Sequence, residues 1–429
     1  MRRKLVLLCV LISLFAPVGF AQTESQAPAG AQVAAEKKEV TSYTLPPEKY
    51  EKAVAYSRTQ YWLHFVEVTY LVLLLLGILA IRVAPRVRDW AERASRRRIV
   101  QAVIFVPLLS VTLAVLQLPL DIYGHQLARK YELSIQGWGS WFWDWTKGEV
   151  IALGIMSVLL YFFYGVVRRS PRRWWLYSGL AVFPLAVVFL FLSPLVLDPV
   201  FNEFEPLENT EPALVAEIEK VVNHGGLDIP RERMFEMKAS EKVKAVNAYV
   251  TGFGSSKRVV LWDTTIANMT TAQMLFVVGH EMGHYMLGHI PKSIAFLGCL
   301  IIVVLFLVYR SVLWAMKRWQ KRWGIRNLED WASLPVLMLF FVIFGFLAEP
   351  IANTFSRYHE HQADVYGLNA TYGIVPDSSQ AAAEAFQVLG EIDLADPNPN
   401  GFIKVWLYGH PPLAERLAFA REYTPRQIE

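Results

Sequence analysis

Apolar and polar positions fall along this chain in long blocks, not in the short periods of a soluble domain. An apolar run from Leu5 to Phe15 follows Met1-Arg2-Arg3-Lys4 and precedes Gly19-Phe20-Ala21-Gln22. Residues 1–21 therefore read as a signal peptide or signal anchor. Residues 22–60 are polar, rich in Ala, Glu and Lys and without apolar periodicity, and are expected to be a solvated linker. Six further stretches, 61–82, 100–120, 148–168, 173–197, 293–315 and 333–353, are apolar. Each holds the about 20 helical residues that cross a ~30 Å hydrocarbon core. The expected fold is mainly α, a polytopic helical membrane protein with four spans in 61–197 and two in 293–353.

Between the two groups of spans, segment 198–292 changes period. Leu214 to Asn223 has helical spacing, and Gly225-Gly226 supplies a stop. The runs Arg233 to Lys238, Val246 to Val250 and Arg258 to Trp262 are short, rich in Val, Met, Tyr and Phe, and separated by Gly and Ser; they predict a small sheet or hairpin. Behind capping threonines, a helix is expected from Ala272 to Leu287.

Composition agrees with the block pattern. The 429 residues are 54% hydrophobic and 19% charged, against roughly 45–50% and 25% for soluble domains. The 42 basic and 38 acidic residues give a net charge of +4, too small and too dispersed for a nucleic-acid footprint. The 2 cysteines, Cys9 and Cys299, lie in apolar runs, so any metal must be held by His, Asp or Glu.

Charge does set orientation. Arg82 to Arg98, Arg168 to Arg173 and Arg310 to Arg326 form three basic loops that fall on one side if all six spans are real. Such loops stay cytoplasmic. The linker, the loop 121–147, the segment 198–292 and the tail 354–429 are then exocytoplasmic. The tryptophans around Trp141 and Trp143 read as an interfacial belt.

On the expected helix stands His280-Glu281-Met282-Gly283-His284, an H-E-x-x-H pattern. Rings at i and i+4 share a helical face and can bind one Zn²⁺, while the intervening carboxylate serves as base toward the water the metal acidifies. Composition alone would place such a pattern in roughly one chain in a hundred of this length, so a third ligand decides its meaning. His289 points away from His280 on a continuous helix and is expected to pack or cap. Beyond two spans, Arg357, Glu360 and Asp364 share a helical face, so one carboxylate can bind metal while the other orients a histidine from behind. The tail returns to the same side as His280. His359 and His361 flank Glu360 on other faces, where they are expected at the surface.

These residues resemble a family, the integral-membrane zinc metalloproteases typified by the type I CaaX prenyl protease. The likeness rests on His280 to His284 and on Ser356-Arg357 with Glu360 and Ala363-Asp364. It extends to Phe201 to Leu207, Asn247-Ala248-Tyr249 before Gly252-Phe253, and His410-Pro411-Pro412 before Glu415-Arg416-Leu417. It implies a gluzincin-type helical catalytic domain in two parts, 198–292 and 354–429. It also implies one Zn²⁺ per chain on His280, His284 and Glu360, Glu281 as general base, and Asp364, with Arg357, behind the ligands. His410 and Arg416 would act at the cleft, and Asn247, Ala248 and Tyr249 would hold substrate backbone. The activity implied is endoproteolysis of peptide or protein substrates, prenylated or otherwise membrane-associated, in contact with the lipid bilayer. Two features depart from the family. Glu132-Leu133-Ser134-Ile135 differs from its usual stretch, and the arginine distribution puts the site outside, whereas the eukaryotic enzymes act on proteins reached from the cytosol. A quality-control membrane metalloprotease is the alternative of like chemistry, and a transporter or receptor the alternative of another class.

Overall fold

A computed structural model of the chain describes residues 40–252 and 256–428; the expected signal segment lies outside them. Six helices are long and apolar enough to span a membrane. They are α1 (Pro47–Ala80), α3 (Arg98–Lys130), α4 (Trp138–Arg169), α5 (Trp174–Leu192, carried on through a π-turn to Phe201), α8 (His289–Trp323) and α9 (Leu334–Ala370). Between the first two lies the short amphipathic α2 (Val83–Ala94), which buries Ala84, Val87, Arg88 and Ala91 at helical spacing. Each span outruns its apolar stretch, because the helix continues into polar sequence at one end or both. α1 begins at Pro47, inside the expected linker, where proline fits the first turn since its missing N–H has no helical partner there.

One apolar core joins α1 to α5 with α8 and α9 and centres on Phe105, Tyr164, Trp174 and Trp331. The outer faces leave Leu73, Val103, Phe162 and Val188 exposed, as spans that meet lipid must. The three basic loops gather at one end. Arg82 Nε donates to the Arg322 carbonyl at 2.8 Å, and Arg326 pairs with Glu92 at 2.8 Å.

At the other end, helices α6 (Pro212–His224), α7 (Thr271–Met286), α10 (Ser378–Ile392), α11 (Gly401–Leu407) and α12 (Leu413–Glu422) assemble around the top of α9. A four-stranded sheet flanks them, made of β1 (Phe204–Pro206), β2 (Met234–Met237), β3 (Ala248–Thr251) and β4 (Arg258–Trp262), in the order β1-β2-β4-β3. β2 and β4 are parallel, and the outer pairs are antiparallel. Three strands match the expected runs. β1 lies outside them, since three residues with a terminal proline carry no alternation to read. β3 is an edge strand and packs Ala248 and Val250 into the cluster formed by Met274, Leu275 and Val278 of α7. Part of the expected linker is also built into this end: Tyr43 is buried against Phe276 and Phe386, and its hydroxyl donates to the Ala395 carbonyl at 3.1 Å.

Candidate metal centre

α7 begins with a capping box, in which Thr270 accepts from the Gln273 N–H and the Gln273 side chain accepts from the Thr270 N–H. The helix then carries His280 and His284 one turn apart toward α9. What lets the two helices meet is the absence of side chains. A Cβ on Gly279 would lie 3.2 Å from Gly367 Cα, and one on Gly283 would lie 2.9 Å from Tyr366 Cβ. A Cβ on Gly367 would lie 2.9 Å from the His280 nitrogen. The three glycines set the crossing close enough for carboxylates of α9 to reach the rings of α7.

At that crossing His280 Nε2 and His284 Nε2 are 3.3 Å apart. Glu360 Oε2 lies 3.3 Å from His280 Nε2, and Oε1 lies 3.5 Å from His284 Nε2. A tetrahedral Zn²⁺ with bonds of about 2.0–2.1 Å has ligand–ligand edges of about 3.3 Å. The donor set therefore fits a tetrahedral cation. Glu360 Oε2 is buried and makes no hydrogen bond, although ring nitrogens of His280 and His410 lie within 3.3 Å. A buried carboxylate oxygen left in this state is what a bound cation satisfies.

Behind this donor set, His280 Nδ1 meets Asp364 Oδ1 at 2.9 Å, and Arg416 holds both oxygens of Asp364, through Nη2 at 2.5 Å and Nε at 2.9 Å. Asp364 is the more deeply buried partner, with its side chain 1% exposed. The Arg416 guanidinium, itself buried, rests 4.5 Å over the Phe386 ring. Burial pushes the Glu281 carboxyl up to about 7. Burial also lowers His284 to about 3, so its ring is neutral with a lone pair to give.

Some expected positions fall elsewhere. Arg357 does not bond the carboxylates of its own helix; it turns to the carbonyls of Lys404 at 3.0 Å and Tyr408 at 2.6 Å. With Asn353, which donates to the Trp406 carbonyl, it fixes the segment leading to His410. The Lys404 carbonyl, which also accepts the Tyr408 N–H at 3.4 Å, and the Tyr408 carbonyl at the end of α11 are a better partner than a carboxylate already held by Arg416. His410 Nε2 lies 3.2 Å from Glu360 Oε2, with its side chain 32% exposed toward the open side of the site. Arg416 lies 4.0 Å from Glu360 Oε2 and is committed to Asp364, so of the two expected cleft residues His410 keeps the more accessible side chain, 32% exposed against 8%. His359 is buried, not at the surface, and His289 is buried against it.

On β3, the Asn247 carbonyl accepts from the Trp262 N–H at 3.0 Å. By alternation, Tyr249 also faces β4, and Ala248 and Val250 turn their backbone groups to the open edge. The Ala248 N–H is taken by the Asn247 side chain at 2.9 Å, which leaves the Ala248 carbonyl and both Val250 groups for an added strand.

Six spans, a His-His-Glu donor set with His280 and Glu360 buried and His284 half-buried, and an adjacent carboxylic acid define an integral-membrane metallopeptidase. Residues 208–424 match the model of peptidase family M48, and residues 31–203 match that of the CAAX prenyl protease N-terminal region with its five membrane helices. The chain belongs to the M48 family and is a multi-pass membrane metalloendopeptidase. It is 32% identical to the uncharacterized metalloprotease YhfN of Bacillus subtilis (strain 168), over 88% of this chain and 87% of that one. It is 29% identical to CAAX prenyl protease 1 of Saccharomyces cerevisiae, over 74% and 72% of the respective chains. The fold is similar to the crystal structure of S. mikatae Ste24p, with a TM-score of 0.74 and 24% identity, covering 99% of this chain and 100% of that one.

Proposed function

We propose that the metal is Zn²⁺, one per chain, held by His280 Nε2, His284 Nε2 and Glu360, and that the catalytic domain comprises 198–292 and 354–429, interrupted by two spans. The near-tetrahedral spacing of those donor atoms carries the proposal. When bound, zinc would polarise the scissile carbonyl and make a water acidic. The chain's own groups do the rest. Glu281 takes the proton of the attacking water and delivers it to the leaving amine. His410 Nε2 donates to the oxygen on which negative charge develops. Asp364, fixed by Arg416, holds the His280 ring in its ligating orientation. An extended substrate adds to β3 through the Ala248 carbonyl and the Val250 backbone groups, as peptides add to sheet edges.

The site lies at the end of the bundle opposite the basic loops, which by the positive-inside rule makes it exocytoplasmic. As substrate we propose a membrane-associated polypeptide, with a prenylated C-terminal peptide as the form suggested by relatives named CAAX prenyl protease. The test is zinc content and cleavage of a farnesylated CaaX peptide by the detergent-purified protein, beside the unprenylated peptide and the Glu360→Ala variant. One zinc per chain, lost in the variant, with the farnesylated peptide preferred, is the expected result. Cleavage indifferent to the lipid moves the substrate to unprenylated membrane proteins, and absence of zinc from the wild-type protein overturns the proposal. Labelling of a Glu422→Cys variant by an impermeant maleimide from outside the cell checks the side.

A further inference from the structure

The two ligand histidines are held from behind by different chemistry. His280 rests on a carboxylate. His284 rests on another imidazole: His289 Nδ1 lies 3.0 Å from His284 Nδ1. The contact exists because the helix ends where it does. Gly288 takes φ +65, a left-handed conformation that costs glycine little, and α8 starts afresh at His289. The ring that would point away on a continuous helix is thereby turned back toward His284. It is 3% exposed and stacks on His359 at 4.1 Å with the planes 4° apart; His359 in turn packs on Phe355 at 4.2 Å. His289 Nε2 faces Gln362 Oε1 at 3.3 Å, and Gln362 Nε2 donates to the Tyr358 hydroxyl at 3.3 Å.

Once His284 is a zinc ligand, as proposed for this site, the hydrogens along this row have one consistent arrangement, and the relay depends on that zinc site being real. A ring that gives its Nε2 lone pair to a metal carries its hydrogen on Nδ1. His289 Nδ1 must then accept, which puts the His289 hydrogen on Nε2, where Gln362 Oε1 stands to receive it. Gln362 is left with its amide hydrogens to donate, one of them to Tyr358. Each ring N–H of the row meets an acceptor, and no member needs a charge. We propose that His289 is a positioning residue: by accepting the His284 Nδ1–H it locks His284 in the tautomer and orientation that aim Nε2 at the metal, with Gln362 fixing His289 in the same way. The neutral relay also adds no second negative charge behind the two histidines.

The test separates the nitrogen from the ring. His289→Phe keeps an aromatic ring to stack on His359 but removes the acceptor, whereas His289→Asn gives up the stack and keeps an acceptor near the position of Nδ1. Zinc affinity is measured by chelator competition on the purified full-length protein, with thermal unfolding of each variant alongside. We expect His289→Phe to bind zinc about 10–100-fold more weakly than wild type, and His289→Asn to recover most of that loss. Equal affinity in wild type and His289→Phe, or equal loss in the Phe and Asn variants, overturns the assignment and leaves His289 a packing residue. If His289→Phe fails to fold, Gln362→Met decides: a weakening of a few-fold supports the relay, and no change overturns it. Wild-type zinc content, measured in the same series, distinguishes failure of the relay from failure of the zinc site itself.

Discussion

Two buried arginine–aspartate pairs lie toward opposite ends of the molecule, alike in burial and unlike in use. At the basic end Arg88 and Asp330 meet at 2.5 Å, with side chains 6% and 3% exposed. At the site end Arg416 and Asp364 also meet at 2.5 Å, with side chains 8% and 1% exposed. The remaining capacity of Asp330 goes to backbone: it accepts from the Arg326 N–H at 2.9 Å and the Ala332 N–H at 3.0 Å. Its arginine donates to the Gly324 carbonyl at 3.1 Å. That pair closes the turn before α9. The remaining capacity of Asp364 goes to the His280 ring, whose other nitrogen faces Glu360. A buried ion pair is by itself weak grounds for either stability or function. What separates these two is the partner that receives the leftover hydrogen-bonding capacity, a backbone turn in one case and a histidine of the proposed metal site in the other.

Glu281 is a third carboxyl group, dominated by burial instead of by an arginine, and it carries the largest expected effect. Glu281→Gln should keep the metal and lower cleavage by about 10²–10⁴-fold; a variant with full activity would remove Glu281 from the chemistry. In the proposed role of base Glu281 works only when ionised, so activity should fall as pH falls through its pKa. Burial pushes that value up to about 7 and a bound cation pulls it back toward the ordinary 4.5, so the acid limb of kcat/KM should fall between the two and vanish in the Gln variant.

The two aspartates give the direct contrast. Asp364→Asn should weaken metal binding about 10–100-fold. Asp330→Asn should leave metal affinity unchanged and lower stability by up to about 3–5 kcal/mol, as breaking a buried pair does. Chelator competition and thermal unfolding of both proteins read the two effects, and equal loss of metal from both would erase the distinction between the pairs.

A smaller effect is expected at the crossing itself. Gly283→Ala places a methyl 2.9 Å from Tyr366 Cβ, an overpacking that costs about 1–3 kcal/mol. Because it pushes α7 from α9, the rise in unfolding temperature on adding zinc should shrink as well; an undiminished rise would show that the helices do not need this contact. Smallest is Arg357→Met, which frees the strap behind His410. We expect kcat about threefold to tenfold lower, the worth of roughly one hydrogen bond, with metal content unchanged. A loss of metal in this variant would return Arg357 to the place beside Glu360 and Asp364 that helix spacing gives it.

Helix spacing reads correctly where a relation is local and fails where a neighbour decides. The i, i+4 pairs His280 with His284 and Glu360 with Asp364 are visible in sequence because one turn of helix puts them on one face. Arg357 shares that face by the same rule, yet its long side chain follows the carbonyls of Lys404 and Tyr408 at the end of α11, which no spacing reveals. His289 points away from the site only on a helix extended past Gly288, where α7 in fact has already stopped. A glycine followed by histidine and, two residues on, a proline is the available signal for that stop. His359 reads as a surface residue until the ring that covers it is known.

The sequence by itself determined the six spans, the basic end and the chemistry of the donors, because hydropathy, charge and residue type act locally and need no partner to be read. Tertiary structure alone decided that Glu360 and Asp364 meet His280 and His284, since that depends on how closely two helices cross. The closeness is set by Gly279, Gly283 and Gly367, residues whose contribution is the side chain they lack.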